Sequence, residues 1–599
     1  MPNGYQHQLY VTQNRMQAQQ IHYKQSNNAI QNQLYQLPTN NHNHMLGQHH
    51  MKQMEAANRA RLAHSPHHFA RVAASQQRIS NNPQPQVNAA INPHASDINL
   101  VPNVAKQQES STWTALDMGG MMINNLHVGL FKYQFLTCLY LNHNNLTSLP
   151  PSISKLQNLT ILNVTGNKLS SLPIELSLVV SLKELLLFDN QLTYVPPEFG
   201  QLYQLEMLGL EGNPMSEPIN SMIIEKGTSV VVKYLRDSCP CPPPPSDREW
   251  MEVDDGFGSS SSDVFTVMCY NTLCEKYATP QTYGYTPSWA LSWDYRKDLL
   301  LQEILNYSAD IVCLQEVEMR QFEDFFKEQL SQLADYDGVF FPKSRAKTMP
   351  EYERRQVDGC VTMYKTSKFK LLQKQHIEFQ QIAMQRPDLN RSDDVLNRVM
   401  IKDNVGVVVL LEAKDTGAKI LVANAHLHWD PNYSDVKVIQ TALLVDEVER
   451  LSKEWSKIHK FQSPPPILIC GDLNSLPDSG VVEFLSQGSI AADHPELQNF
   501  NYHPFIDNGL THSLKLKSAY AHCEDIDFTN FTPMFKGMID YIWYDTSSLI
   551  TTGLLGGVDK QYAAKTVGFP NPHHPSDHIP LVVSIRIKGT TAQKKVAFK

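Results

Sequence analysis

The chain lacks any excess of positive charge. Its 599 residues carry 51 Lys and Arg against 60 Asp and Glu, a formal net charge of −9. Proteins that grip nucleic acid by bulk electrostatics need a Lys/Arg surplus, so that mode is excluded. A local phosphate site whose positive charge comes from bound cations is not. The nine cysteines show no zinc-ligand spacing. Cys239 and Cys241 form a C-P-C among prolines, and Cys138, Cys269, Cys313 and Cys470 sit inside apolar runs, the usual setting of buried free thiols. No apolar run is long enough to span a bilayer and no secretory leader is visible, so the expectation is a reducing, intracellular setting (cytosol, nucleus or both) without a membrane. A P-loop and a nucleophile elbow are also missing.

Apolar residues are themselves scarce before residue 110. Segments such as NRMQAQQIHYKQ and LPTNNHNHMLGQHHMKQ are dominated by Gln, Asn and His. They hold too little apolar surface to offset the entropy of ordering, and residues 1–110 are expected to be disordered. The irregular spacing of the histidines reads as composition rather than as a metal site.

A repeat occupies the next stretch of chain. LTCLYLNHNNL, LTILNVTGNKL, LKELLLFDNQL and LEMLGLEGNPM begin at Leu136, Leu159, Leu182 and Leu205. Each fits L-x-x-L-x-L-x-x-N-x-L, with Val164 standing in once and Met215 closing the last unit. The pattern predicts a leucine-rich-repeat solenoid over 111–237, leucines inward, with Asn144, Asn167, Asn190 and Asn213 bridging successive turns. Trp113, Leu116 and Met118 resemble a degenerate capping unit. Such arrays expose a concave sheet that recognises proteins. CPCPPPPSDREWMEVDDGFGSSSS then marks a linker over 238–262.

From 263 to 588 short β-rich runs alternate with amphipathic helices, which suggests stacked sheets with helices outside; 589–599 reads as a tail. The runs end alike. VFTVMCY ends at Asn271, DIVCLQ at Glu316, KILVANA at His426, and ILICG at Asp472 and Asn474; MIDYIWY carries Asp540, and Ser576-Asp577-His578 precedes the final run. In a strand Asp472 and Asn474, two apart, point to one face. Any one of these is an ordinary strand terminator. Together they form a set of carboxylates, carboxamides and histidines that suits hard divalent cations and phosphodiester hydrolysis by water.

CYN, LQEV, GDLNSLPDS, IDYIWY and SDHIPL, in this order, resemble the endonuclease/exonuclease/phosphatase superfamily. Joined to the repeat array, the chain is similar to carbon catabolite repressor four-type catalytic subunits of the Ccr–Not messenger-RNA deadenylase complex. The resemblance implies an α/β fold, a four-layer α-β-β-α sandwich, and a poly(A)-specific 3′→5′ exoribonuclease releasing 5′-AMP with one or two Mg2+ ions. It makes Glu316 the principal metal ligand with Asn271 beside it, and Asp472 the residue that orients or deprotonates the water. Asn474 and His426 contact the phosphate, His578 stabilises its charge with Asp540 holding the imidazole, and Asp577 ligates a second metal. Phe535 and Pro431 match positions that sandwich an adenine. The implied partners are poly(A) RNA and a second, DEDD-type deadenylase, which docks on the repeats and contacts the Not scaffold. The basic loop FPKSRAKTMPEYERRQ stays outside the predicted site. Two alternatives remain open: a related nucleotide or dinucleotide phosphatase, and an adaptor whose repeats carry the main role.

Overall fold

The computed structural model describes residues 42–62, 113–253, 264–389 and 392–588. The chain divides into two units, one within 24–240 and one containing 241 onward.

In the first unit, five three-residue strands pair in parallel: β1 (Ala115–Asp117), β2 (Cys138–Tyr140), β3 (Ile161–Asn163), β4 (Glu184–Leu186) and β5 (Met207–Gly209). β1 is the predicted capping unit, built on Leu116. The repeat leucines fill one continuous core, and Leu136, Leu159, Leu182 and Leu185 are wholly buried. Each such side chain contributes roughly 1.5–3 kcal/mol by leaving water. The asparagines form the predicted ladder. Asn167 accepts from the Leu146 N–H at 3.0 Å and donates to the Leu141 and Val164 carbonyls at 3.0 and 2.9 Å; Asn190 and Asn213 repeat the pattern one turn on. These bonds satisfy backbone groups that the tight turns leave unpaired.

One expectation fails over part of its range. Residues 1–110 read as disordered, yet α1 (His42–Leu62) is a helix. Its Ala56, Ala57 and Ala60 bury against Leu186 and Phe188 of the array. Composition undervalued three alanines that share one helical face. The rest of 1–110 and the tail 589–599 lie outside the described residues.

In the second unit two sheets stack face to face. The first has seven strands in the order β6 (Trp250–Glu252), β17 (Leu549–Leu555), β18 (Leu581–Ile587), β7 (Val264–Asn271), β8 (Ile311–Glu318), β10 (Asp358–Lys365) and β9 (Tyr336–Pro342). The other has six: β11 (Phe369–Glu378), β12 (Val405–Ala413), β13 (Lys419–His426), β14 (Ile467–Asp472), β16 (Asp540–Asp545) and β15 (Leu516–Ser518). Val267, Cys313, Val407, Val422, Leu468 and Ile542 fill the space between them. Outside the larger sheet, α2 (Trp293–Tyr307) and α3 (Lys327–Ala334) bury Leu300, Ile304 and Leu330. Outside the smaller sheet, α4 (Ser434–His459) and α5 (Gly480–Gln487) bury Leu443, Val448 and Phe484. The four-layer order is the expected one. Within the expected linker, residues 248–252 belong to the fold, because β6 pairs with β17 and Arg248 donates to the Gly556 and Pro580 carbonyls at 2.7 Å each.

Candidate active site

The polar ends of these strands meet on one rim. β7 and β8 run parallel, β13 and β14 run parallel, and β16 and β18 run against them, so the starts of β16 and β18 lie beside the ends of their neighbours. Register does the placing. His426 pairs with Asp472 and Asp472 with Asp540, a row of three functional side chains across three adjacent strands. Gly471 sets how closely β14 approaches β13, since a Cβ there would lie 2.1 Å from the Ala425 carbonyl oxygen.

Three non-glycine residues of the rim hold left-handed backbone: Leu273 (φ 51°), Glu316 (φ 55°) and Asn474 (φ 48°). Such strain persists where surrounding structure over-determines it, and it concentrates at functional sites. Glu316 lies in the bulge of β8, where Gln315 and Glu316 together oppose the single Cys360 of β10. Asn474 departs from expectation. β14 stops at Asp472, and Asn474 sits in a turn in which its own N–H donates to Asp472 Oδ1 at 2.9 Å. The two residues face the same cavity through this Asx turn rather than through strand alternation.

Asn271 links the acidic groups. Its Nδ2 lies 2.9 Å from Asp472 Oδ2 and 3.3 Å from Glu316 Oε1. The Cys274 N–H donates to Glu316 Oε2 at 3.3 Å. His578 Nδ1 is 2.8 Å from Asp540 Oδ2, and its Nε2 stands 3.7 Å from Asp472 and 3.9 Å from Asp577. Asp540 Oδ1 is buried and has no hydrogen-bond partner among the described residues. Asp577 Oδ2 accepts from Tyr283 Oη at 2.8 Å and Asn530 Nδ2 at 3.2 Å. His426 Nε2 lies 3.6 Å from Asp472 Oδ2.

Burial dominates the electrostatics. It pushes the Glu316 carboxyl up to about 7, with Asp358 adding to the effect. Asp472 also rises, from burial and then from Asp540. Burial pulls His426 down to about 4 and leaves it neutral. His578 goes the other way: burial opposes its charge, but Asp540, Asp577 and Asp472 together raise it well above the usual histidine value. The rim therefore presents one imidazolium, one neutral imidazole and several carboxylates that lack sufficient countercharge. Asp472, Asp540 and His578 bring ligand atoms within 4.8 Å of one another. These groups floor a cavity of about 1040 Å³, whose lining also includes Pro431, Phe535 and Trp429.

The sequence of residues 268–578 matches the model of the Endonuclease/Exonuclease/phosphatase family, and residues 134–175 match that of Leucine Rich repeats. The "CCR4-Not complex 3'-5'-exoribonuclease subunit Ccr4" of Mycosarcoma maydis is 51% identical over 505 residues, covering 80% of this chain and 75% of the relative. The Schizosaccharomyces pombe protein of the same name is 49% identical over 522 residues, covering 80% and 76%. The chain belongs to the Ccr4 family. Among solved structures, ANGEL2, described as a 2′,3′-cyclic phosphatase, aligns over 57% of this chain and 99% of its own at 26% identity and a TM-score of 0.47.

All ten predicted site residues of this Ccr4-family chain converge. Eight of them line the one cavity directly, Asn271 reaches it through Glu316 and Asp472, and Asp540 reaches it through His578. Several neighbours carry no sequence signal of their role. Lys343, from the basic loop expected to lie outside the site, is buried, lines the cavity and pairs with Asp358 at 2.7 Å. Lys347, Arg354 and Arg355 of the same loop pair instead with Glu378, Glu351 and Asp324 near the surface. Lys437 Nζ donates to the Asn474 carbonyl at 2.7 Å and holds that strained turn. Tyr283 and Asn530, which position Asp577, stand far from it in the chain and have no local motif to mark them.

Proposed function

We propose that this Ccr4-family chain is a poly(A)-shortening 3′→5′ exoribonuclease that uses Mg2+ and water and releases 5′-AMP inside the cell. The observation that carries the reading is the Asn271 amide spanning Glu316 and Asp472, beside the Asp540–His578 pair on the floor of one open cavity.

A divalent cation fits these residues. Burial raises the proton affinity of Glu316 and Asp472, and among the described residues Asp540 Oδ1 has no donor, so the site offers the carboxylate oxygens and unbalanced negative charge that suit a divalent cation. Glu316, with Asp472 and Asp577 nearby, would hold Mg2+, the oxygen-loving ion that keeps waters and shares its sphere with phosphate. Bound there, it supplies Lewis-acid polarisation of phosphoryl oxygen and acidifies water.

The chain's own groups do the rest. Asp472 is fixed through both oxygens, by the Asn271 amide and the Asn474 N–H, and its raised basicity suits it to take a proton from the attacking water. His578, cationic and held by Asp540, offers Nε2–H toward the cavity, where charge builds on the phosphate. Neutral His426 and the Asn474 side chain add donors without adding a base. Phe535, 37% exposed in a turn closed by Thr532, lines the cavity together with Pro431, and in this reading the two hold a base. Base stacking on such a ring is worth roughly 1–3 kcal/mol.

The array, in the same proposal, docks a second, DEDD-type nuclease and through it a larger scaffold. A repeat solenoid is the surface type that suits this role.

The test uses the full chain with 5′-labelled oligo(A) and a mixed-sequence RNA of equal length, over a Mg2+ titration. A ladder shortening from the 3′ end, 5′-AMP as product and a preference for oligo(A) are expected. Release of inorganic phosphate without shortening would move the reading to a phosphatase. Full activity of Glu316→Ala would remove the metal assignment.

A further inference from the structure

Leu185 and Leu187 point into the array core, so Leu186 and Phe188 point to the opposite, concave face. They are nonetheless 3% and 0% exposed, because α1 lies over them. The contact has a recognisable code. Ala56, Ala57 and Ala60 meet Leu186 and Phe188, with Met207 packed at the side. Gln53 Nε2 donates at 3.0 Å to the Leu208 carbonyl of β5, the last strand of the sheet. Arg61 makes a fork to Asp189, both contacts at 2.7 Å, and a further contact to Glu211 at 3.3 Å. His49 sits over Gly227, where a Cβ would come within 2.6 Å of the imidazole Nδ1.

The two sides of this contact are unequal. The array contributes Phe188, Leu186, Met207 and two carboxylates, whereas the helix contributes three methyl groups, one amide, one imidazole and one arginine that is itself about a third exposed. Bulky apolar side chains and two carboxylates of the array are thus met by small side chains and a single cation from the helix. The helix adds little drive of its own, with Gly47 inside it and no acidic side chain in its first turn.

We propose that the concave face is a receptor for an amphipathic helix, and that α1 is its removable internal occupant. The face opens to a helix of another polypeptide that brings an apolar stripe to Leu186, Phe188 and Met207 and a basic residue to Asp189 and Glu211. Such a helix competes with α1, which keeps the apolar face covered until that partner arrives. The proposal goes beyond the nuclease reading and does not depend on it.

A fluorescent peptide of residues 42–62, titrated onto the full chain, tests this. Wild type, already filled, takes up the peptide weakly. Chains carrying Ala57→Trp or Arg61→Glu, which displace their own helix, should bind it at least tenfold more tightly. Adding Asp189→Arg to the Ala57→Trp chain should abolish that gain, and Arg61→Asp in the peptide should restore it. The proposal is overturned if both variants bind no better than wild type. It is equally overturned if either variant loses the cooperative urea unfolding of the array, since α1 would then be an integral part of the repeat fold.

Discussion

Glu316 should be a residue the metal-free protein would be more stable without. Its carboxyl titrates near 7 in the folded chain against 4.5 as the ordinary value, chiefly through burial. Between those pH values the folded chain holds a proton that the unfolded chain has released, so stability falls as pH rises and levels off above 7. The full cost at pH 8 is about 3 kcal/mol. Glu316→Gln keeps the shape and removes the charge. Its amide leaves one donor, the Cys274 N–H or the Asn271 Nδ2, facing an NH2 group, which gives back about 1 kcal/mol. The variant should therefore gain about 2 kcal/mol at pH 8 in EDTA, on the order of 5 °C in the melting of the nuclease unit. Near pH 5 the gain should largely vanish. Adding Mg2+ should raise the wild-type transition by about 3 kcal/mol at a hundredfold excess over its dissociation constant and leave the variant almost unmoved. Scanning calorimetry across this pH range, with and without metal, reads each of these effects. A variant that melts at or below wild type at pH 8 in EDTA would refute the reasoning, and so would a gap that does not narrow in acid.

Two further outcomes are expected. Asp540→Asn removes the largest support for the His578 charge; the raised histidine value contributes stability below about pH 6.5 that is lost as pH climbs through the folded value, so the variant should be destabilised most in mild acid and converge on wild type in alkali, as urea unfolding would show, while oligo(A) turnover drops roughly 10²–10⁴-fold. Phe535→Ala should weaken kcat/KM on oligo(A) roughly 5- to 150-fold through lost stacking and leave the melting curve near wild type, because the ring is partly exposed; unchanged steady-state kinetics would remove Phe535 from the base site.

Much of this architecture is legible in the amino-acid order alone. The 23-residue spacing of Leu136, Leu159, Leu182 and Leu205 specifies the array, because solenoid contacts are local and recur in the chain. The rim residues are legible for a different reason: each ends an apolar run, and a polar side chain there interrupts an otherwise buried strand. The features without a sequence signal depend on non-local packing. Lys343 and its loop neighbours are equally basic in sequence, and only the position of Asp358 draws Lys343 inward. The helix at 42–62 is hidden because its drive to order lies in Phe188 and Asp189, well over a hundred residues downstream. The left-handed backbone at Asn474 defeats a strand-periodicity argument that its sequence invites.

The row His426–Asp472–Asp540 makes chemistry a readout of alignment. A strand slipped by one position turns every side chain to the opposite face, so a shifted β14 would turn Asp472 toward the helices outside the smaller sheet and put Gly471 or Leu473 in its place. Graded loss is therefore not available to this site. A molecule in a population either has the three strands in step and cuts, or is out of step and silent. Partial activity in a damaged preparation should count the fraction of correctly registered molecules rather than report an average impairment of each.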